Sequence, residues 1–234
     1  MTEASPWRVL ITGPIDGRDE WLEAAARAGW EAHEAPLLER VPLSWELASE
    51  TRPAWIALTS SGALEALADL ARVEPTWKDV PVATVGERTA ERIRALGFEV
   101  QLVAEGRNAQ DLARALIERE PQGPVLWLRG ERALDLGDLL REGGVAVEER
   151  VVYATRPASA VALQPVDVVF FASPSAVAVW QELATGTVPG ALAMGWTTLE
   201  ALQEAERAFS FALPLITPEP VSLTVALDAI AASP

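Results

Sequence analysis

Short apolar runs alternate along this chain with segments in which apolar residues return every three or four positions. WRVLITG is followed by DEWLEAAARAG and then WEAHEAPLL; further on, AWIALTS leads into SGALEALADLAR, then VPVATVG, then ERTAERIRALG. A continuous apolar run of that length suits a strand buried on both faces, and the 3.6-residue period suits a helix with one face on the core. Their alternation predicts βαβ units, hence a parallel sheet covered by helices on both faces. Gly29 and Gly97 directly follow helical segments and fit left-handed helix C-caps. Asp19, and Ser61 or Gly62, fit N-cap positions.

The pattern then repeats. PVLWLRGERALDLGDLLREGGVAVEERVVY echoes RVLITGPIDGRDEWLEAAARAGWEAHEAPLL as strand, glycine turn, helix, glycine, strand. VVFFASPSAVAVW echoes WIALTSSGALEAL, and LAMGWTTLEAL echoes VATVGERTAERI. A repeat this long, in a chain too short for a solenoid, predicts two similar doubly wound α/β domains. Taken by itself the repeat divides the chain into tandem halves near Gln122.

In open parallel sheets ligands bind beyond the carboxyl ends of the strands, where loop amides and helix N-termini point outward. The turns Thr59-Ser60-Ser61 and Ser173-Pro174-Ser175 fall at such ends, as do Gly86 to Thr89 and Gly195 to Thr198. If the two domains face each other, these turns line one cleft. Its candidate binding residues are Thr59, Ser60, Ser61, Gly86, Thr89, Ser173, Ser175, Gly195, Thr197 and Thr198. Amides and hydroxyls suit carboxylates without any net positive charge, and each hydroxyl also suits capping its own helix. Arg129 and Arg132, in WLRGERA, are the best-placed cations. The stretch VVYATRP holds the only tyrosine of a chain with nine tryptophans. Tyr153 reads from its surroundings as a half-buried strand residue, a packed linker residue, or an acid in a cleft.

Composition narrows the function. Half of the 234 residues are hydrophobic, enough for a substantial core. The absence of cysteine excludes disulfides, thiolate metal sites and a cysteine nucleophile. A net charge of -15 opposes nucleic-acid binding, which needs clustered cations. No secretion signal opens the sequence and no apolar run approaches about 18 residues, so the chain reads as cytoplasmic with no membrane contact. A single histidine, His33, cannot build a metal cluster or a serine-histidine couple and reads as a strand-edge residue. Glu148 and Glu149, adjacent on a strand, point to opposite faces and read as solvent charge. Neither a nucleotide-phosphate loop nor a dinucleotide fingerprint is present.

The ordered set LTSSGALEAL, VATVGERTAERIRALGF, VLWLRGERALDLGDLLREGGVAVEERVVYATRP, FFASPSAV and MGWTTLEAL resembles the uroporphyrinogen-III synthase family over essentially the whole chain. The resemblance implies two flavodoxin-like domains joined by a two-stranded connector. The first takes residues 1–38 plus 157–234, the second residues 39–156, and the connectors lie near 37–42 and 151–157. It implies a hydro-lyase of tetrapyrrole (heme, siroheme and cobalamin) biosynthesis. Its substrate is hydroxymethylbilane, an open chain of four pyrroles with acetate and propionate arms, and its product is uroporphyrinogen III. Ring D is inverted through a spiro intermediate. Tyr153 matches the family's tyrosine in its V-Y-x-T context and is the expected catalytic residue, while Arg129 is the expected cationic substrate contact from its strand-end position alone. The pyrroles supply the electronic push, so no cofactor and no metal is expected. The resemblance also fits a monomer, with transient handover from hydroxymethylbilane synthase. Where the family commonly has T-R-P after the first strand this chain has Thr12-Gly13-Pro14, and where the family has a smaller residue it has Trp196, so the resemblance implies one cation fewer and a narrower pocket. The competing reading is a non-enzymatic two-domain small-molecule binding or sensor protein, since two doubly wound domains around a hinge also describe sensors.

Overall fold

The computed structural model describes residues 7–13, 18–46, 51–105, 108–133, 135–159, 161, 163–184, 189–205, 209–215 and 220–232. Its elements begin with β1 (Arg8–Ile11), α1 (Arg18–Arg27), β2 (Glu31–Glu34) and β3 (Leu38–Pro42). A middle block follows: β4 (Trp55–Leu58), α2 (Leu64–Val73), β5 (Val82–Thr84), α3 (Glu87–Ala95), β6 (Val100–Val103), α4 (Ala109–Ile117), β7 (Val125–Gly130), α5 (Leu136–Glu142) and β8 (Val147–Pro157). The last block is β9 (Val168–Phe171), α6 (Pro174–Leu183), β10 (Gly190–Ala193), α7 (Trp196–Gln203), β11 (Ala212–Pro214) and α8 (Pro220–Ala231). The chain forms two compact units, Met1–Glu39 with Arg156–Pro234, and Arg40–Thr155. The tandem division near Gln122 that the repeat suggests by itself is therefore not the one observed, because Gln122 lies inside the second unit.

In the first unit the sheet order is β11-β10-β9-β1-β2, all parallel. Numbered by first appearance this is the flavodoxin-like order 2-1-3-4-5, whose switch point lies between β1 and β9. Alternate strand residues serve opposite faces. Val9, Ile11, Val168 and Phe170 pack with Ala24 and Ala25 of α1 and Leu223 and Leu227 of α8. Leu10, Val169 and Phe171 pack with Val177 and Trp180 of α6 and Leu199 and Leu202 of α7. Burial on both faces is why these strands read as unbroken apolar runs.

The second unit has its own sheet, in which β8, β7, β4, β5 and β6 are consecutive neighbours and parallel, with β3 on the outside of β8. Ile56 and Leu58 turn to α2 and α3, meeting Leu67, Leu70 and Ile93. Trp55 and Ala57 turn to α4 and α5, meeting Leu112, Leu116, Leu136 and Leu140. Each such fully buried aliphatic side chain contributes about 1.5–3 kcal/mol. β3 runs against β8: Leu43 N donates to Val152 O, and Ala158 N donates to Leu37 O, so residue numbers rise on one strand as they fall on the other.

The internal repeat has a structural form. The segment β7-α5-β8 matches β1-α1-β2 by position in its sheet, β4 matches β9, and β5 matches β10. The two sheets share one strand order, but the chain enters the second at β4 and the first at β1, a circular permutation of the same unit.

Helix ends follow local chemistry. Gly29 (φ +74°), Gly97 (φ +85°) and Gly144 (φ +79°) hold the left-handed conformation after α1, α3 and α5. Asp19 lies inside the first turn of α1, where a carboxylate favours the helix dipole, and is not the N-cap. Ser61 and Gly62 belong to a single 3-10 turn, Ser61–Ala63, whose N-cap is Ser60.

Candidate functional site

In the second unit the chain leaves β7 towards β8 on one side and leaves β4 towards β5 on the other. The carboxyl ends of β4 and β7, which are paired in register, therefore form the switch point. β4 ends at Leu58, followed by Thr59 and Ser60; Ser60 Oγ accepts a hydrogen bond from Gly62 N at 3.2 Å. β7 ends at Gly130, beyond which Glu131 N donates to Tyr153 O at 2.9 Å.

Tyr153 reaches this point because β8 carries a bulge. Arg129 pairs with Val151, but the next β7 residue, Gly130, pairs with Tyr153, so Val152 is an extra residue. The alternation of faces is broken there, and the consecutive Val152 and Tyr153 both pack against the same apolar cluster. A Cβ placed on Gly62 would lie 2.6 Å from Tyr153 Cζ, and one placed on Gly130 would lie 2.6 Å from the same atom and 2.8 Å from Oη. The half-buried ring thus rests on two bare glycine backbones. Its hydroxyl has no hydrogen-bond partner among the described residues.

Beside the ring lies a cavity of about 50 Å³, lined by Arg40, Trp45, Gly62, Glu65, Asp69 and Tyr153, among others. Arg40 Nη1 donates to Ser61 Oγ at 3.1 Å. The cavity has room for a small polar group and not for a pyrrole chain. Arg40 is not singled out in the sequence, because nothing in LLERVPL marks a strand arginine as turning towards a turn 21 residues on.

Arg129 has a different setting. Its Nε stands 2.8 Å from Glu149 Oε2, an ion pair by distance that lacks hydrogen-bond geometry, and its Nη1 donates to Ala133 O at 2.5 Å. Its guanidinium also covers Trp127, 5.3 Å from the ring centroid. Glu149 further accepts from Arg141 Nη2 at 2.5 Å, and this contact is the main cause of the upward shift in the Arg141 pKa. Glu149 is therefore no mere solvent charge: its side chain is 22% exposed and ties β8 to β7 and α5. Glu148 pairs instead with Arg150, at 3.3 Å. Arg132 is exposed in the turn after β7.

The remaining candidates of this unit stand at the same sheet edge. Gly86 is the N-cap of α3, extended, with open space where a side chain would be. Thr89 is half-buried in α3. In the first unit, adjacent strands present Ser173 after β9 and Gly195 after β10. Ser173 Oγ accepts from Ala176 N at 3.4 Å and caps α6, and Ser175 is half-buried in the same turn. Gly195 is extended and open, and Thr197 is exposed, whereas Thr198 is only 3% exposed and faces its own core. Trp196 is 71% exposed. Thr12 Oγ1 donates to Phe170 O at 2.8 Å and is buried; Gly13 adjoins it, and Pro14 lies outside the described residues.

His33 sits on the edge strand β2, 3.3 Å from Glu31 Oε1. Among the described residues no group of three or more His, Cys, Asp or Glu could hold a metal ion. No helix among them is long and apolar enough to cross a membrane.

Two flavodoxin-like units of one strand order, the first discontinuous in sequence, with hydroxyl-rich turns at their strand ends, define a two-unit parallel α/β protein. The family model described as uroporphyrinogen-III synthase HemD matches residues 19–208, and the chain belongs to that family. Among solved structures it is similar to uroporphyrinogen-III synthetase from Helicobacter pylori, at 18% identity and a TM-score of 0.70, covering 97% of this chain and 100% of that one. It is also similar to a mutant uroporphyrinogen III synthase from the extremely thermophilic bacterium Thermus thermophilus, at 18% identity and a TM-score of 0.56, with the same coverage. At such identities these two likenesses concern the fold. No curated protein matches the chain. Family membership makes the protein a cyclising lyase of tetrapyrrole biosynthesis, with hydroxymethylbilane as substrate and uroporphyrinogen III as product. It favours the enzyme over the sensor reading.

Proposed function

We propose that Tyr153 is the proton donor of this reaction and that the switch point around it is where the departing hydroxyl of ring A lies. The observation that carries this reading is the ring of Tyr153, set by a strand bulge onto Gly62 and Gly130, with its hydroxyl unpartnered among the described residues. A phenol hydroxyl carries a proton that it can donate to a leaving group. The hydroxyl leaves as water, and the proton is recovered when inverted ring D loses one to regain aromaticity, so donor and reaction balance. The leaving group needs little acid strength, because the pyrrole nitrogens push electrons out. The larger demand is on geometry, where holding reactants in place is worth up to roughly 7–11 kcal/mol in model systems.

Carboxylate arms of the substrate bind backbone amides and hydroxyls at strand ends: Thr59, Ser60, Ser61, Gly86 and Thr89 are the candidates of the second unit, and Ser173, Ser175, Gly195 and Thr197 those of the first. Thr198, from inside α7, supports that turn, and Arg40 binds one arm directly. Arg129, held by Glu149, gives its charge to the same sheet edge. The functional domains are residues 1–38 plus 157–234 and residues 39–156. The enzyme works as a cytoplasmic monomer and takes its labile substrate by transient handover from hydroxymethylbilane synthase.

The test is kinetic. Tyr153→Phe should lower kcat by about 10- to 100-fold with KM little changed, the lower end of general acid catalysis. Unchanged turnover would remove Tyr153 from the chemistry.

A further inference from the structure

We infer that Gly62 and Gly130 are positioning residues for the Tyr153 hydroxyl; the inference rests on the acid role proposed for Tyr153. Glycine is usually kept for a left-handed backbone or for close approach. The first reason fails for both: the described glycines with positive φ are Gly29, Gly97 and Gly144, and Gly62 and Gly130 are not among them. Any residue could adopt their backbone angles. The second reason holds for both, and towards one target. A Cβ on Gly62 would stand 2.6 Å from Cζ and 2.8 Å from Cε1 and Cε2, and one on Gly130 would stand 2.6 Å from Cζ, 2.8 Å from Oη and 2.9 Å from Cε2. Real Cβ atoms do not approach other atoms so closely, so either methyl would push the ring tip aside. Two glycines 68 positions apart in sequence therefore share one neighbour, the end of the phenol.

Other glycines at strand ends show the contrast. At Gly86 and Gly195 nothing lies within 4 Å of where a Cβ would stand, so they leave room for a ligand and hold no protein side chain. Among these strand-end glycines, it is at Gly62 and Gly130 that the missing side chain fixes the place of a reactive group. The slot also explains why a bulge is needed: without the extra residue in β8, Tyr153 would not pair with Gly130.

A double-mutant cycle separates positioning from general damage. Gly62→Ala and Gly130→Ala should each lower kcat by roughly 10- to 100-fold, the scale of a 1 Å misplacement, with KM changed far less. In a Tyr153→Phe background the added methyl meets the same ring carbon but finds no hydroxyl to displace, so the further loss should stay within about 3-fold. Equal losses in both backgrounds overturn the inference while leaving the role of Tyr153 standing. A Tyr153→Phe enzyme with unchanged kcat instead overturns that role itself. The unmutated protein offers a check that does not depend on folding of the variants. Tyr153 is the sole tyrosine, so carbon-13 tyrosine gives a single ring axis. Its ring-axis order parameter should match that of rigid backbone, about 0.85, and a value in the flexible range below about 0.6 contradicts a held ring.

Discussion

Arg40 shows how much of a site depends on a single side chain brought from elsewhere in the fold. It lines the cavity beside Tyr153 and donates to Ser61 Oγ, next to the group proposed as the proton donor. Arg40→Gln should raise KM by about 10- to 100-fold, the worth of one charge-assisted hydrogen bond, with a smaller effect on kcat. Steady-state kinetics decide it, and an unchanged KM would separate Arg40 from substrate binding. Tyr153 is legible in the sequence because it is the one tyrosine and stands in a family context. Arg40, Gly62 and Gly130 are not, since their contacts link β3, the turn after β4, β7 and β8, and no local pattern encodes them.

At the scale of elements, strands and helices follow from their periodicity, and the left-handed glycines after α1 and α3 follow from chain position. The bulge in β8 does not, because VVYATRP has the same composition with or without an extra residue in register; pairing with β7 creates it. Glu149 is misread for a related reason. Strand alternation correctly separates Glu148 from Glu149, but it cannot say that one of them meets Arg129 and Arg141. Glu149→Gln leaves a largely buried Arg129 without its anion and should cost about 1–3 kcal/mol of stability. Urea unfolding measures this directly, and an unaltered midpoint would make the three-element link dispensable.

At the scale of the whole molecule the most informative signal is the repeat. Its order in the sequence fits tandem halves as well as it fits an interrupted first unit, so the observed division is not derivable from the echoes alone. Only with the strand orders known do the echoes become a permutation of one five-stranded plan. Each plan has its own set of strand-end amides and hydroxyls, the groups proposed to take the substrate's carboxylates although the chain carries a net charge of -15. Surface acids beyond about 8 Å are screened at physiological salt, whereas amides at a sheet edge act at contact. These edges are proposed to hold hydroxymethylbilane in the fold that favours inversion. The direct measurement supplies the protein with enzymatically generated hydroxymethylbilane, oxidises the product and separates the porphyrin isomers. Predominantly isomer III is expected, formed well above the rate of unassisted closure; isomer I alone, at the unassisted rate, would show that the protein does not direct the closure.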